Sequence, residues 1–263
     1  IINITLSKAG AQSSSGISVY GDKVVGDNVQ LDLLLVIAGG DPFLIEETTL
    51  FNWLRKMAAF GTLIGGVSGG PVLLVKAGLM QDRRMTVHWE HLEGLTELIT
   101  STVVEKSLYV IDRDRMTCAG GTAPMDMMLA LISSRDGATF ARFVSDWFLH
   151  SEIRPSGVAQ RAKLADRVGC NNPLVLAAVQ LMENHIADPL SLTQLASLVE
   201  ICNRQLNRLF KKNLGKSTMN YYRSVRVEKA RNLLRNSPLN VSEIAEATGF
   251  ANPSHLSAVF SST

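Results

Sequence analysis

The sequence contains no apolar run long enough to cross a bilayer. Its longest apolar stretch, Leu33–Ala38, falls far short of the roughly 20 residues that a membrane-spanning helix needs. Cysteine is scarce as well: Cys118, Cys170 and Cys202 have neither metal-site nor disulfide spacing. We therefore expect no membrane partner, no metal and no cofactor, and a reducing cytoplasm as the compartment.

Basic residues are absent after Arg235, although the carboxy-terminal part is the more basic one. Residues 170–263 carry ten Lys or Arg against six Asp or Glu, whereas residues 1–169 carry sixteen against eighteen. A length of 263 residues favours two domains. A basic domain joined to a mildly acidic one is typical of a DNA-binding domain with a sensor attached.

The carboxy-terminal part contains an internal repeat, Leu190–Lys212 and Leu239–Phe260. In each copy a capping residue, Ser191 or Asn240, stands three positions before a Gln or Glu, which marks the start of a helix. A short apolar helix, a tight turn and a second helix follow. The repeat therefore predicts two helix-turn-helix units about 50 residues apart.

The second helix of the first copy has an apolar and a basic side. Leu206, Leu209 and Phe210 fall together at a helical period. The other side chains are predicted to contact DNA: Asn203, Arg204, Asn207, Arg208, Lys211 and Lys212. Arg can read guanine edges with two hydrogen bonds, and Lys neutralises phosphate. The alternative is that this basic face is only solvated surface.

Four motifs together resemble the DNA-binding domain of the AraC/XylS family of bacterial transcription regulators. They are Leu195–Phe210, Gly215–Ser217, Arg226–Leu234 and Ile244–Leu256. The resemblance implies an all-α domain over residues 174–263, in which a bridging helix holds both helix-turn-helix units. It also implies that double-stranded promoter DNA is the partner, with Ser254 and His255 as contacts of the second unit. Successive major grooves on one face of DNA lie about 34 Å apart.

The chain departs from the family pattern at three places. Glu200 stands where the family usually has a glycine in the turn, and Cys202 where it usually has a capping Ser. No Lys or Arg follows Arg235. Either the carboxy terminus is truncated or the first unit supplies most of the affinity for DNA.

The amino-terminal part alternates strand-like and helix-like segments, with glycines after the strands. The predicted strands are Leu31–Ile37, Thr62–Val67, Met85–His88 and Leu108–Ile111, and the predicted helices are Glu46–Phe60, a segment ending at Lys76, and Ala123–Ser133. This alternation predicts a doubly wound α/β domain.

The segment Gly66–Gly70 fits the G-x-S-x-G pattern of a strained strand-to-helix turn that exposes a nucleophile. Read literally, the pattern proposes a serine hydrolase with Ser68 as nucleophile and His88 or His91 as base. No acidic residue is marked as a partner for the histidine. The alternative is that a sharp turn simply requires small residues.

Three further segments resemble the DJ-1/PfpI, or class I glutamine-amidotransferase-like, domain in the version fused to AraC-type domains. They are Gly66–Met80, Arg83–Trp89 and Thr117–Asp126. The resemblance implies a flavodoxin-like sensor over residues 1–149, lacking its first strand and helix. Catalytic relatives have a cysteine where this chain has Ser68, so we expect a degenerate elbow and no catalytic residue.

The strand-end loops are predicted to converge on a ligand pocket. Its expected residues are Gly40, Asp41, Val67, Ser68, Gly69, His88, Trp89, Gly121 and Thr122. Backbone N–H groups at the elbow would hold a carboxylate, and Trp89 would stack on a cation. The resemblance implies an amino acid or a quaternary amine as effector. The alternative is that His88 and Trp89 are packed core residues.

The two domains are expected to be joined by a linker over residues 150–173. Together these features predict a ligand-responsive transcription regulator of the bacterial cytoplasm and nucleoid. We expect an activator that forms a homodimer through its α/β domain, with RNA polymerase as a further candidate partner. The competing hypothesis is a serine-dependent hydrolase or amidotransferase-like enzyme that uses Ser68.

Overall fold

The computed structural model describes residues 1–13, 16–99, 102–236 and 239–261. The chain divides into two compact units, Ile1–Gln160 and Arg161–Thr263. Within the described ranges, no helix combines the length and the apolar composition that crossing a membrane requires.

The first unit is an α/β domain. Its strands are β1 (Ile4–Thr5), β2 (Ala11–Gln12), β3 (Ser18–Val19), β4 (Lys23–Val24), β5 (Leu33–Ala38), β6 (Leu63–Ser68), β7 (Arg84–Met85), β8 (Val103–Val104), β9 (Tyr109–Asp112) and β10 (Arg115–Cys118). Its helices are α1 (Thr48–Ala59), α2 (Gly70–Lys76), α3 (Leu92–Leu98), α4 (Ala123–Asp136) and α5 (Ala138–Trp147), with short 3₁₀ helices at Pro42–Leu44 and Trp89–His91.

The central sheet has the strand order β5-β6-β10-β9 and is covered on both faces. Strands β5, β6 and β10 are parallel, and β9 is an antiparallel edge. Leu34 and Ala38 pack with α1 and α2 on one face. Leu33 and Leu35 pack with α4 on the other face. Packing on both faces accounts for most of the apolar run of β5, whereas Ile37 on this edge strand is 73% exposed.

One predicted strand is shorter in the structure, and another pairs with a neighbouring strand that the sequence did not indicate. Only Met85 of the segment Met85–His88 lies in a strand, because β7 pairs with β8 in a separate small sheet. The strand predicted at Leu108–Ile111 forms β9 and returns at once as β10. Its two-residue turn places Arg113 at φ 59° rather than using the Gly or Asn typical of such turns, so the sequence did not signal a hairpin.

The expected linker over residues 150–173 contains a short helix, Leu164–Val168, between loops. Residues 150–160 belong to the first unit. There Leu108 N donates to Ser156 O at 2.9 Å, and the Gln160 amide group donates to Val87 O and Ser107 O at 2.9 Å each. The residues that follow Gln160 belong to the second unit. Long-range hydrogen bonds thus hold the first part of the expected linker within the first unit.

The second unit is built from helices. They are α6 (Leu164–Val168), α7 (Pro173–Asn184), α8 (Leu192–Leu198), α9 (Asn203–Leu214), α10 (Thr218–Asn236), α11 (Val241–Ala247) and α12 (Pro253–Ser261). The pairs α8–α9 and α11–α12 are the two predicted helix-turn-helix units. Both predicted helix starts are confirmed: Ser191 with Gln194, and Asn240 with Glu243, form complete capping boxes.

The bridging helix α10 holds both helix-turn-helix units through two residues one turn apart. The Tyr222 hydroxyl donates to His185 O and accepts from Leu190 N at 3.3 Å, just before α8. The Arg226 guanidinium donates to Thr248 O at 2.8 Å and to Gly249 O, in the turn after α11. Side chains four residues apart lie on the same side of a helix, so one side of α10 orders both units.

The tight turns of the two units adopt the same left-handed conformation. Gly249 has φ 67° and the corresponding Glu200 has φ 57°. A Cβ on Gly249 would lie 2.5 Å from Pro189 Cγ and 2.7 Å from Ile186 O, so only glycine fits there. Glu200 is exposed, and it bears the strain of a side chain in a conformation that favours glycine.

Replacing Glu200 with glycine should therefore stabilise the protein. We expect Glu200→Gly to raise the free energy of unfolding by about 1 kcal/mol, because the strain of the left-handed backbone is relieved. Denaturant unfolding followed by circular dichroism measures the change.

Two control variants separate backbone strain from charge. Glu200→Ala keeps the Cβ and should leave stability nearly unchanged, whereas Gly249→Ala should destabilise the protein. An equal gain from Glu200→Ala would show that the carboxylate, and not the backbone, carries the effect.

Candidate DNA interface and effector pocket

Helix α9 separates buried apolar residues from exposed cations. Leu206 and Phe210 are fully buried in the core of the second unit. Four cationic side chains are exposed on this helix: Arg204, Arg208, Lys211 and Lys212. Within the described part of the chain, none of these four side chains has a hydrogen-bond or ion-pair partner. The positive charge of α9 is therefore free to meet an anion such as DNA phosphate.

The two asparagines of α9 have different positions. Asn203 is exposed, and its Nδ2 donates to Thr193 Oγ1 of α8 at 3.1 Å. Asn207 is half-buried, and its Oδ1 accepts from Thr218 N at 3.1 Å. That bond satisfies a free N–H group at the start of α10. Its carboxamide oxygen thus joins α9 to the bridging helix, and the contact of Asn207 with DNA stays a prediction.

In the second helix-turn-helix unit, α12 presents uncharged side chains. Leu256 and Val259 are buried, while Ser254 and His255 are exposed as predicted. His255 N donates to Asn252 Oδ1 at 2.8 Å, so Asn252 caps this helix. Cys202 occupies the same place before α9 and makes no capping bond. The two helix-turn-helix units therefore differ both in charge and in how their second helices begin.

The elbow at Ser68 has the strained backbone that the G-x-S-x-G pattern predicts, with φ 59°. Its N–H groups are already used inside the protein. Gly69 N donates to Ala38 O at 3.0 Å, and the N–H groups of Ser68 and Gly120 donate to the Cys118 thiol. Burial outweighs those bonds and raises the pKa of this thiol to about 11. The N–H groups of Ser68 and Gly69 are thus not free to hold the predicted carboxylate.

The geometry of a serine nucleophile is not formed. Among the described residues, the Ser68 hydroxyl has no hydrogen bond to the His88 ring. The two residues are joined by a main-chain bond, in which His88 N donates to Ser68 O at 3.3 Å. His88 Nδ1 instead accepts from Glu90 N at 3.4 Å. Burial lowers the pKa of His88, partly offset by Glu90. Its imidazole is therefore neutral at pH 7.

A pocket of about 200 Å³ lies beside the elbow. Its lining residues are His88, Trp89, Leu108, Ala119, Gly120, Gly121, Thr122, Ala123, Arg154 and Gln160. Four of the predicted residues are present: His88, Trp89, Gly121 and Thr122. Five are absent from this lining: Gly40, Asp41, Val67, Ser68 and Gly69.

Those absences have local causes. The Val67 side chain packs in the apolar cluster under α4. Asp41 Oδ1 accepts from Phe43 N at 2.9 Å and caps a 3₁₀ helix. Gly69 lies against Pro42. The prediction that these residues line the pocket is therefore corrected.

A buried ion-pair cluster holds one wall of the pocket in place. The sequence did not indicate this cluster. The Asp126 side chain is fully buried and accepts from Arg154 Nε at 3.0 Å, from Arg154 Nη2 at 2.5 Å and from Arg154 N at 2.9 Å. His150 Nε2 lies 3.0 Å from Asp126 Oδ1. Burial alone would raise the pKa of Asp126, but the hydrogen bonds from Arg154 and His150 lower it overall.

Comparison with known families agrees with this architecture. A model of the DJ-1/PfpI family matches residues 1–134, and a model of a helix-turn-helix domain matches residues 195–263. The chain belongs to the AraC-type transcriptional regulators that carry a DJ-1/PfpI domain. Both resemblances seen in the sequence are thereby confirmed.

Two curated relatives span nearly the whole chain. The HTH-type transcriptional regulator GlxA of Rhizobium meliloti (strain 1021) is 40% identical over 249 residues, which is 94% of this chain and 77% of the relative. The HTH-type transcriptional regulator CdhR of Pseudomonas aeruginosa (strain PAO1) is 38% identical over 245 residues, 93% of this chain and 73% of the relative.

Among solved structures, a ThiJ/PfpI family protein from Pseudomonas syringae matches with a TM-score of 0.51 and 19% identity. The match covers 74% of this chain and 76% of that protein. At this identity the likeness concerns the fold alone.

The Asp126 cluster predicts an acid-sensitive sensor domain. Since the folded-state pKa of Asp126 is below its unfolded value, the stabilisation is present above the unfolded pKa, near 4, and is lost as the pH falls through the folded value. We expect Asp126→Asn to lower the free energy of unfolding at pH 7 by about 3 kcal/mol, because Arg154 loses its anionic partner.

Unfolding measured between pH 3 and pH 7 tests this prediction. The difference between wild type and Asp126→Asn should shrink as the pH falls. The matched control is Asp146→Asn, which removes an exposed carboxylate of the same unit and should change little. A difference that stays constant with pH would contradict the assignment.

Proposed function

We propose that this regulator binds promoter DNA mainly through α9, under the control of a small metabolite held in the DJ-1/PfpI domain. The observation that carries the proposal is the row of exposed cations on α9, which have no partner among the residues that the structure describes and lie opposite the buried Leu206 and Phe210. We propose no catalytic role for Ser68, because it has no bond to a histidine ring and lies outside the pocket lining.

On DNA, Arg204 and Arg208 are the proposed base readers, since a guanidinium can bind guanine O6 and N7 together. Lys211 and Lys212, at the other end of α9, are the proposed phosphate contacts. Asn203 flanks this surface. In the second helix-turn-helix unit Ser254 and His255 add neutral contacts. The first helix-turn-helix unit therefore supplies most of the electrostatic affinity for DNA.

The effector proposal rests on the pocket beside the elbow. Its volume of about 200 Å³ is below the 300–1,000 Å³ that is common for drug-sized ligands, and suits a molecule the size of an amino acid or a small quaternary amine. The activator role and a contact with RNA polymerase are supported by the family resemblance. Such a regulator would act at the nucleoid in the bacterial cytoplasm.

We also propose a homodimer formed through α5. Phe140, Phe143 and Trp147 follow one another on one side of this helix, with ring centroids 6.4 Å and 6.3 Å apart. Trp147 is 75% exposed and the following Phe148 is 64% exposed. Aromatic side chains bury about 150–250 Å² each. These four would supply roughly half of the approximately 800 Å² per partner that a stable interface buries.

The test of DNA reading compares Arg208 with Lys212. We expect Arg208→Ala to weaken binding to the preferred promoter fragment by about 1–3 kcal/mol and to relax its sequence preference. Lys212→Ala should weaken binding on every sequence and lower the slope of log affinity against log salt by about 1. Fluorescence anisotropy with labelled fragments measures both effects.

Ser68→Ala is the matched control in the other unit and should retain wild-type DNA binding. An equal loss on all sequences for Arg208→Ala would contradict base reading by this residue. Loss of DNA binding in Ser68→Ala would mean that the sensor's fold, and not α9, controls the result.

The test of the dimer is a charge placed on the aromatic face. Trp147→Glu should convert a dimer to a monomer, because a carboxylate would be buried without a partner. Light scattering coupled to size exclusion gives the mass. Phe60→Glu, at an exposed aromatic residue of the same unit, should leave the mass unchanged. A Trp147→Glu protein that stays dimeric would place the interface elsewhere.

A further inference from the structure

The pocket contains one charged guanidinium with unused donor capacity. Arg154 uses Nε and Nη2 for Asp126, and Nη2 also donates to Thr122 Oγ1 at 2.6 Å. Its Nη1 has no hydrogen-bond partner within the described part of the chain. Asp126 and Thr122 therefore orient a planar donor group at the pocket wall, and its free nitrogen can meet an anionic group of a ligand.

Among the described residues that line the pocket, Arg154 is the group best suited to bind a ligand carboxylate. The N–H groups of Ser68 and Gly69 already donate to Cys118 and Ala38. The pKa of His88 is lowered by burial. No carboxylate belongs to the described residues that line the pocket. A ligand carboxylate would thus be read by Arg154 rather than by the elbow.

Gln160, which also lines the pocket, has a buried side-chain acceptor that lacks a donor among the described residues. Gln160 Nε2 donates to Val87 O, Ser107 O and Thr86 Oγ1 at 2.9–3.0 Å, which defines the orientation of the amide. Gln160 Oε1 is consequently the free end, and it is buried without a hydrogen-bond partner among the described residues. An unpaired buried carbonyl oxygen is unfavourable, so a ligand N–H group that reached it would bind with a gain.

We propose that the pocket selects a ligand that carries both a carboxylate, bound by Arg154, and a cationic N–H group, bound by Gln160 Oε1. An α-amino acid with its free ammonium group, or a guanidino acid, meets both requirements. A quaternary amine meets only one, because its nitrogen has no hydrogen to donate and would leave Oε1 unpaired. This inference rests on the proposed effector role of the pocket, and it separates the two ligand classes that the sequence left open.

The aromatic wall does not alter this preference. Trp89 is 37% exposed, and its ring lies 5.3 Å from the neutral ring of His88. An aromatic face attracts an ammonium, a guanidinium or a trimethylammonium alike. Selection between them therefore depends on Gln160.

The test uses the full chain and matched ligand families. Titration calorimetry compares glycine, L-alanine and L-valine, whose side chains have no N–H group, each with its Nα-trimethylated betaine and with its carboxamide. At least one amino acid should bind. Its betaine and its amide should each bind about 5-fold to 100-fold more weakly, the range expected for a lost hydrogen bond to a buried or charged group.

Two variants assign the preferences to residues. The double variant Asp126→Asn with Arg154→Gln replaces the ion pair by neutral groups of similar size, and it should bind the acid and its amide equally. Gln160→Met should bind the amino acid and its betaine equally. Circular dichroism and the thermal midpoint of each variant show whether it folds, and the ligand comparison within wild type stands without them.

The outcomes are distinguishable from those of the proposed function, since promoter binding is measured on the same preparations. Betaines that bind as tightly as their parent amino acids, or amides as tightly as acids, would overturn the inference. So would a protein that binds promoter DNA and none of the panel. A protein that shows the expected ligand preferences but binds no promoter fragment would overturn the proposed function and leave the pocket assignment intact.

Discussion

The DNA-binding unit depends on the contact of one helix with both of its halves. Tyr222 and Arg226, one turn apart on α10, each bind main-chain groups of a different helix-turn-helix unit. Arg226 also lies over the Phe250 ring, 4.3 Å from its centroid. A single helix therefore binds main-chain groups of both helix-turn-helix units.

The α/β domain contains a strained turn at Ser68 and a buried ion pair between Asp126 and Arg154. The backbone at Ser68 turns sharply from β6 into α2. The N–H groups of Ser68 and Gly120 donate to the Cys118 thiol. In our proposal, recognition of a ligand depends on Arg154 and Gln160, which lie among the last residues of the first unit. The chain continues directly from Gln160 into the second unit, so in our proposal an effector acts on the segment that joins sensing to DNA binding.

Much of the carboxy-terminal unit could be predicted because its signals are local. Capping boxes at Ser191 and Asn240, and the buried side of α9, follow from residues three or four positions apart. On the bridging helix α10, by contrast, the apolar residues differ in exposure. Tyr222, Val227 and Ala230 are buried, Leu233 is partly buried, and Met219 and Leu234 are exposed. Exposure along a helix depends on which neighbours pack against it, and the sequence does not list them.

The sequence by itself determined the two-unit organisation, the repeated helix-turn-helix pattern, the basic face of α9 and the sharp elbow, since each depends on residues close together in the chain. Only the tertiary structure decided that Asn207 joins α9 to α10, and that Arg154 and Gln160 line the pocket beside His88. It also decided that the N–H groups of Ser68 and Gly69 are already occupied. Partners 11 to 74 residues apart make these contacts, and composition and periodicity carry no information about pairing at such distances.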